Sequence, residues 1–527
     1  MKRRKFFKIS AAASAAVMMN GLPVRSLAGN QALRTLARQT ERSGRVLVLI
    51  QLIGGNDGLN TIIPLDQYSN LTSARSNILI PETSVLSING RKDTGFHPAI
   101  EGLRNMYNDG MMNIVQSAGY DNPSFSHFRS TDIWNEGASA TEYLNTGWLG
   151  RYLAQRYSGF PTGYPNNDMP DPLAIQVGSG VSPVFQGTDV SMGMAISDID
   201  SFYNLISSTV DPAPATPAGH ELTFLRYIAQ QTQSYNNSLQ TAASKANNLS
   251  SLYATGNSLS DQLKIVARLI AGGLMTPVYL VSMSGFDNHS AQTDDTDHTI
   301  GAHATLLKKL SDAVTAFFDD CKRLKIDDRV VAMTYSEFGR RIKSNASGGT
   351  DHGTAAPVMV FGNAVNPTII GSNPTIGQNV SVDDNIDMQY DYRSVYASVL
   401  TDWFQLDSAS VHDVLLNTYS VLPIFRDSSA TEVQTVGGVT TGQEILGQNY
   451  PNPFSRSTTI NFTSKGGTTV IQLFDASGRA VKTLTQQQYG NGQFSITVDR
   501  DNLPAGNYFY RLINSDGQWS KQMVVVD

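Results

Sequence analysis

Acidic and histidine side chains follow several apolar runs of the sequence, at positions where predicted strands would end. Asp57 lies in a glycine-rich segment after the first run, and the pair Asp287 and His289 follows a later one. The candidate metal ligands are Asp57, Asp287, His289, Glu337, Asp351 and His352. Carboxylates mixed with imidazoles suit Zn²⁺, Mn²⁺ or Ca²⁺, and such a cation polarises bound oxygens or activates a nucleophile. The residue types therefore predict a divalent metal site.

The apolar runs before these clusters have the character of buried strands. Residues 45–53 and 277–283 are apolar on both faces, and a helical pattern over 302–324 leads into a third run, 329–334. Strand, helix and strand in this order predict a right-handed crossover in a parallel α/β sheet. Because such sheets hold ligands outside the carboxyl ends of their strands, we expect the polar clusters to converge at that edge.

Length and composition limit the possible classes of protein. A chain of 527 residues with 40% hydrophobic content allows one large domain and at least one smaller one. The net charge of −6 is spread along the chain and no basic stripe occurs, so we expect no nucleic acid partner. The single cysteine, Cys321, lies in an amphipathic stretch and is expected to be a small buried hydrophobe.

The N-terminus has the three parts of an export signal. Basic residues are followed by a short alanine-rich apolar run and by a small-residue cleavage signal ending at Ala28. Arg3 and Arg4, followed by Lys-Phe-Phe-Lys, resemble a twin-arginine signal over 1–28, which implies the twin-arginine translocase as a partner. The alternative is a basic tail on a surface helix. Since the apolar run is too short to span a bilayer, we expect no permanent transmembrane segment.

The C-terminal part resembles a secretion module. Residues 427–444 have the composition of a linker, and the alternating runs beyond them predict an antiparallel β-sandwich over 445–527, with turns at Ser477-Gly478 and Asn491-Gly492. The segments Asn-Tyr-Pro-Asn-Pro-Phe at 449–454 and Leu-Pro-Ala-Gly-Asn-Tyr at 503–508 resemble the sorting domain of the type IX secretion system. This resemblance implies export by that machinery to the cell surface or the medium. A generic immunoglobulin-like appendage is the alternative.

The middle of the chain resembles the exported bacterial family known as domain of unknown function 1501. The motifs are Gly-Gly-Asn-Asp-Gly at 54–58, Pro-Ser-Phe-Ser-His-Phe at 123–128, Gly-Phe-Asp-Asn-His at 285–289, Ser-Glu-Phe-Gly-Arg at 336–340 and Asp-His-Gly at 351–353. That family resembles the alkaline phosphatase and sulfatase superfamily. The resemblance implies an alkaline-phosphatase-like doubly wound α/β sheet over 29–426, and the region 159–260, where the motifs thin out, is expected to be a helical insertion.

The resemblance also implies roles for single residues. The implied metal ligands are Asp57, Asp287, His289, Glu337 and His352. The superfamily commonly has Asp-His where this chain has Glu337 and Phe338, and a phenyl ring cannot bind a metal. The second metal site of the superfamily therefore lacks its usual histidine in this chain.

Candidate catalytic groups lie close to these motifs. Ser124 and Ser126 both lie where the resemblance places a nucleophile, and Ser126 is favoured because His127 is adjacent. A serine after a proline is equally expected to cap a helix. Arg340 and Arg341 are expected either to clamp an anionic substrate through bidentate hydrogen bonds or to lie on a solvated loop.

These features favour a secreted, metal-dependent hydrolase of phosphate or sulfate esters. Its substrate would be a small or polymeric anionic ester. The rival hypothesis is a cell-surface binding or scaffold protein that retains the fold without the chemistry, because a fold does not establish a function.

The export signal can be tested by replacing Arg3 and Arg4 together with Lys. We expect export to stop, because the translocase recognises the arginine pair as an address rather than as charge. Fractionation of cells that produce the double variant measures this. Normal secretion would instead indicate the general secretory route.

Overall fold

The computed structural model describes residues 18–19, 22–23, 44–197, 235, 237–426 and most of 446–526. The chain forms two compact units, 1–436 and 437–527. Within the predicted export signal, the described residues form one short antiparallel pairing, of Met18–Met19 with Leu22–Pro23. The rest of that signal and the predicted linker 427–444 lie outside the described residues.

A large mixed sheet forms the centre of the first unit. The strands of this unit are β1 (Val46–Ile53), β2 (Ile62–Pro64), β3 (Leu86–Ile88), β4 (Arg91–Phe96), β5 (Met112–Gly119), β6 (Ala174–Val177), β7 (Met194–Ile196), β8 (Val278–Ser284), β9 (Val330–Tyr335), β10 (Arg340–Ser344), β11 (Thr350–His352), β12 (Ala356–Phe361), β13 (Ile369–Ile370) and β14 (Tyr390–Asp391). The order in the large sheet is β13-β5-β12-β9-β1-β8-β6-β7, and β14 also pairs with β5. Strands β2, β4 and β3 form a small separate sheet, and β10 pairs with β11.

Helices cover both faces of the large sheet. The helices are α1 (Gly58–Thr61), α2 (Tyr68–Arg75), α3 (Glu101–Asn108), α4 (His127–Glu136), α5 (Trp148–Arg156), α6 (Ser258–Ala271), α7 (Ala302–Arg323), α8 (Tyr392–Ser398) and α9 (Ser408–Leu415), with a π-helical segment at Val399–Trp403. Buried side chains of α3, α6 and α7 belong to one hydrophobic core, and those of α4, α5, α8 and α9 belong to a second. The predicted doubly wound α/β architecture is confirmed.

The central strand β1 explains why both cores form. Its side chains alternate between them, with Val48 and Ile50 in one core and Leu47 and Leu49 in the other. Successive residues of a strand point to opposite faces, so a strand that is apolar at every position is buried on both. Strands β8 and β9 lie on either side of β1 and run parallel to it, as the strand-helix-strand pattern predicts.

Two parts of the sheet differ from the sequence-based picture. Strand β12 runs antiparallel to both β9 and β5, so the sheet is mixed rather than wholly parallel. The reason is that β10 and β11 occupy the chain between β9 and β12, which leaves no room for a crossover helix. In the region expected to be a helical insertion, β6 and β7 extend the sheet and residues 237–245 are helical. Residues 198–234 of that region lie outside the described residues.

The second unit is an antiparallel sheet. Its strands are β15 (Ser457–Asp475), β16 (Ala480–Asp499), β17 (Gly506–Asn514) and β18 (Gly517–Val525), in the order β16-β15-β17-β18. The antiparallel organisation is confirmed, and the described strands form a single four-stranded sheet. The turn predicted at Asn491-Gly492 is wrong, because the β15–β16 pairing continues past it, with Asn491 opposite Lys465. The other predicted turn, at Ser477-Gly478, lies outside the described residues.

The 449–454 segment contributes to the core of this unit. Phe454 is buried, and its backbone nitrogen donates to Val524 in β18. Tyr510 donates its hydroxyl proton to Gly447 and accepts from the backbone nitrogen of Asn449. The motif that carries the resemblance to a sorting domain is thus part of the hydrophobic core. Among the described residues of the whole chain, no helix is long and apolar enough to cross a membrane.

The two-unit organisation predicts that a chain ending at Val436 folds. Both cores of the first unit consist of residues up to Phe425, so removal of 437–527 takes away none of their side chains. We expect cooperative thermal unfolding with an unchanged midpoint for the first unit, measured by calorimetry against the full chain. Loss of the near-ultraviolet circular dichroism of the truncated chain would contradict this.

Candidate metal centre

Three imidazoles and one carboxylate converge at the carboxyl edge of the sheet. His127 begins α4, Asp287 and His289 follow β8, and His352 ends β11. One oxygen of Asp287 is 3.1 Å from the Nε2 atoms of both His289 and His352, and the other is 3.3 Å from Nε2 of His127. The Nε2 atoms of His289 and His352 are 2.9 Å apart. The structure thus joins three of the sequence-predicted ligands and adds His127.

Each of the three imidazoles is held from behind by an oxygen atom. The contacts of the Nδ1 atoms are His127 with Glu337 Oε1 at 2.8 Å, His289 with Asp351 Oδ1 at 2.9 Å, and His352 with the carbonyl oxygen of Phe125 at 2.8 Å. A carbonyl or carboxylate oxygen can only accept, so the neutral ring carries its proton on Nδ1. The lone pair of each Nε2 therefore points into the cluster. Metal-binding histidines are commonly oriented in this way.

This arrangement could hold a cation. Two imidazole lone pairs that face each other at the 2.9 Å separation of His289 and His352 repel unless a proton or a metal ion lies between them. The ligand atoms of His127, Asp287 and His352 all lie within 4.8 Å of one another. Partial burial lowers the pKa of His352, which keeps this ring neutral and able to bind a metal.

Asp287 is kept ionised by a buried arginine. Its partial burial alone would raise the pKa of the carboxyl, but the hydrogen bond and the positive charge of Arg340 lower it to about 2. The Arg340 guanidinium is 1% exposed and lies 2.7 Å from Oδ1 of Asp287. Its other hydrogen bonds go to the carbonyl oxygens of Gly54, Gly55, Phe286 and Thr350. Arg340 therefore cross-links the loops beneath the cluster, and Arg341 pairs with Asp383 at the surface.

Asp57 lies apart from the cluster in a buried ion pair. Its carboxylate is 2.8 Å from Nη1 of Arg75 and accepts a 2.7 Å hydrogen bond from Gln292. Burial acts to raise the pKa of Asp57, but the positive charge of Arg75 and these hydrogen bonds leave it lowered. It also accepts from the backbone nitrogen of Leu59 at the start of α1. The structure thus gives Asp57 a role in holding α2 against the loop after β1.

Glu337 and Asp351 hold the imidazoles rather than face the centre of the cluster. Glu337 is buried and also accepts from the backbone nitrogen of Gly54 at 2.9 Å. The hydrogen bond from His289 lowers the pKa of Asp351. Phe338 is 2% exposed, and its ring centre lies 4.3 Å from that of His352, so an apolar ring closes this side of the site.

The candidate nucleophiles are engaged by the backbone. Ser126 caps α4 by accepting from the nitrogen of Arg129, and Ser124 accepts from the nitrogen of Ser126. Across the described ranges of the chain, neither hydroxyl has a hydrogen bond to an imidazole. His127, a candidate catalytic residue from the sequence together with Ser126, is the side chain that reaches the cluster. The sequence signal that could have indicated this role of His127 is its position at the start of the helix that follows β5.

A family model described as "Protein of unknown function (DUF1501)" matches residues 114–415. The chain belongs to this family. The match begins inside β5 and ends with α9, so the DUF1501 region contains all four converging side chains. It leaves out β1 and Asp57.

A second family model, described as a secretion system C-terminal sorting domain, matches residues 448–526. This DUF1501 protein is therefore exported, to the cell surface or the medium, and the secretion machinery that reads this domain is a partner. The prediction of a type IX sorting domain from the two C-terminal segments is confirmed. The twin-arginine signal stays a prediction.

Solved structures similar to this DUF1501 protein include sulfatase-like proteins. A protein in the alkaline phosphatase superfamily from Vibrio parahaemolyticus is 11% identical, with 70% of this chain and 69% of that chain covered and a TM-score of 0.33. A sulfatase from Pseudoalteromonas sp. is 9% identical, with 89% of each chain covered and a TM-score of 0.31. Likenesses at these TM-scores do not establish a shared chemistry. No curated protein matches the sequence.

The buried ion pair can be tested with Arg75→Ala. We expect it to lower the free energy of unfolding by about 3–5 kcal/mol, because it leaves the Asp57 carboxylate buried without its cation. Arg91→Ala removes the partner of the partly exposed Asp93 and should cost at most about 1 kcal/mol. Urea unfolding at pH 7 measures both variants.

The same pair predicts a pH dependence. Because the folded-state pKa of Asp57 is lowered, its contribution to stability is present above the unfolded pKa and is lost as the pH falls through the folded pKa. The difference between wild type and Arg75→Ala should therefore narrow in acid. Equal losses for the Arg75 and Arg91 variants would contradict the buried-pair interpretation.

Proposed function

We propose that this exported DUF1501 protein is a metal-dependent hydrolase of phosphate or sulfate esters. The observation that carries the proposal is the convergence of three Nε2 lone pairs on the Asp287 carboxylate. A donor set rich in imidazole suits Zn²⁺ or Mn²⁺ better than Ca²⁺, which prefers oxygen ligands. A divalent cation held there would supply Lewis acidity, polarising a phosphoryl or sulfuryl oxygen and activating water.

The side chains around the cluster support this proposal by holding its donors in place. Glu337 and Asp351 fix the rings of His127 and His289 through their Nδ1 atoms. Arg340 fixes Asp287 and keeps it anionic. Ligands that are oriented before the metal arrives lose less entropy when they bind it, and partners of this kind commonly raise metal affinity 10-fold to 100-fold.

Water is the nucleophile that this arrangement favours. The hydroxyls of Ser124 and Ser126 accept backbone hydrogen bonds, and in the described part of the chain neither is hydrogen-bonded to an imidazole or a carboxylate. In the proposed hydrolysis, a water oxygen bonds to phosphorus or sulfur and the bond to the alcohol oxygen breaks. The alcohol leaves with a proton that the water provides.

A non-catalytic surface protein is the second candidate, and Phe338 favours it. Its buried ring occupies the position next to Glu337 where the superfamily commonly has a metal-binding histidine. A protein of this kind would use the cluster to stabilise the strand-end loops. It would bind the metal without hydrolysing esters.

Metal analysis of the purified, unchelated protein tests the proposal. We expect about one Zn²⁺ or Mn²⁺ per chain, and His127→Ala and His352→Ala should lower both metal content and the melting temperature. His412→Ala is the matched control, because His412 is exposed on α9 and contacts Thr418. A chelator should lower the melting temperature of wild type and of the control more than that of either ligand variant.

Two results would count against the proposal. Wild-type protein without metal, whose melting is unmoved by chelator, would exclude a metal centre. Bound metal without metal-dependent hydrolysis of 4-nitrophenyl phosphate or 4-nitrophenyl sulfate would favour the non-catalytic candidate.

A further inference from the structure

Large aromatic side chains are exposed in the segment of the chain that carries His127 of the candidate metal centre. Among the described residues of the first unit, the large exposed aromatic side chains are Phe125, Phe128 and Tyr143, at 40%, 86% and 79% exposure. All three lie in the segment 125–143, which also carries His127. An exposed phenyl ring forgoes burial worth about 25 cal/mol per Å² of apolar surface. The concentration of such rings in this one segment suggests a surface that becomes covered by a ligand.

The backbone places two of these residues next to residues of the cluster. The carbonyl oxygen of Phe125 accepts the hydrogen bond from Nδ1 of His352 at 2.8 Å. Phe128 directly follows His127, so their Cα atoms are about 3.8 Å apart. A molecule whose anionic group lies against the cluster would therefore have its remaining atoms close to these rings.

Arginine side chains accompany the aromatic rings. The guanidinium carbon of Arg341 is 5.8 Å from the centre of the Phe125 ring, and that of Arg129 is 3.8 Å from the centre of the Tyr143 ring. Because Arg341 also pairs with Asp383 and Arg129 with Glu136, these guanidinium groups flank the rings without supplying unpaired positive charge, and the surface suits a ring-bearing ligand.

We propose that Phe125, Phe128 and Tyr143, here called the aromatic surface, bind the ring of the alcohol part of the ester substrate. This inference rests on the proposed function, because it places the anionic group of the same ester at the metal centre. The ligand chemistry is a rigid ring with a flat face, which is either a sugar with its C–H face or an aryl group with its π face. Both stack on phenyl rings, whereas a short alkyl chain offers little contact area.

The test compares three sulfate or phosphate esters that differ only in the alcohol. They are the ethyl ester, the phenyl ester and the ester of the 6-hydroxyl group of glucose. Phe125→Ala and Phe128→Ala should each raise KM for the ring-bearing esters, relative to KM for the ethyl ester, about 5-fold to 30-fold, in line with stacking energies. Phe128→Tyr should keep the wild-type KM, because the ring remains. A larger effect on the glucose ester than on the phenyl ester would identify a sugar as the ring, and the reverse would identify an aryl group.

Leu252→Ala is the matched control for loss of an exposed apolar side chain. Leu252 is 52% exposed, in a segment that Asp320 holds near the end of α7. His303, near the start of α7, contacts Asn56 in the loop after β1. The 17 residues between them span about 25 Å at 1.5 Å per residue, so this change should leave every KM unaltered.

Failure of this inference can be told apart from failure of the proposed function. Two results with an active wild type would show that the aromatic surface does not bind a ring. In the first, both Phe→Ala variants keep the wild-type KM for the ring-bearing esters. In the second, KM for the ethyl ester rises as much as KM for the ring-bearing esters. If wild type hydrolyses none of them, the proposed function fails, and calorimetric titration of the same three esters tests the surface alone. A ring-bearing ester that binds no tighter than the ethyl ester would then overturn the inference.

Discussion

The buried guanidinium of Arg340 is the contact on which the candidate metal centre depends. It donates to carbonyl oxygens in the loops after β1 and β8 and in β11, and it pairs with Asp287 at 2.7 Å. An arginine charge cannot be lost by deprotonation, and leaving it buried without acceptors would cost several kcal/mol. The three segments are therefore held together at the edge of the sheet, and two of them carry Asp287, His289 and His352 of the cluster.

The loop after β1 packs so closely against the loop after β8 that two of its positions require glycine. Gly54 and Gly55 have φ angles of +124° and +84°, and a Cβ atom on Gly54 would lie 2.3 Å from the backbone nitrogen of Asp287. The close approach lets the nitrogen of Gly54 donate to Glu337, which in turn holds His127. The close packing at Gly54 thus helps to position the imidazole of His127, through the hydrogen bond from Gly54 to Glu337 and the one between Glu337 and His127.

The two buried arginines belong to one polar network. Arg75 pairs with Asp57, which accepts from Gln292, and Gln292 accepts from the hydroxyl of Thr350. The carbonyl oxygen of Thr350 is an acceptor for Arg340. Because every member of such a network depends on its neighbours for compensation, the Asp57–Arg75 ion pair and the candidate metal centre are coupled through hydrogen bonds. This gives Asp57 a place in the site without making it a ligand.

The sequence by itself determined the strands, the helix and the motifs that a local pattern of residues identifies. Continuous apolar runs identified β1, β8 and β9, the helical period identified α7, and short motifs identified both the DUF1501 region and the sorting domain. Three of the four side chains that converge at the site follow from polar residues placed at strand ends. Periodicity shows which face of an element is buried, and it is therefore sufficient for these features.

Only the tertiary structure decided which loops meet. His127 and Glu337 are 210 residues apart in sequence, and the antiparallel direction of β12 is set by the β10–β11 pair before it. The ion pair of Asp57 with Arg75 also depends on how distant segments pack. The same holds for Asn491, which lies in a strand opposite Lys465 and not in a turn. The residue type determines which kinds of contact a side chain can make. The strand order, which no local pattern encodes, selects the contact that it does make.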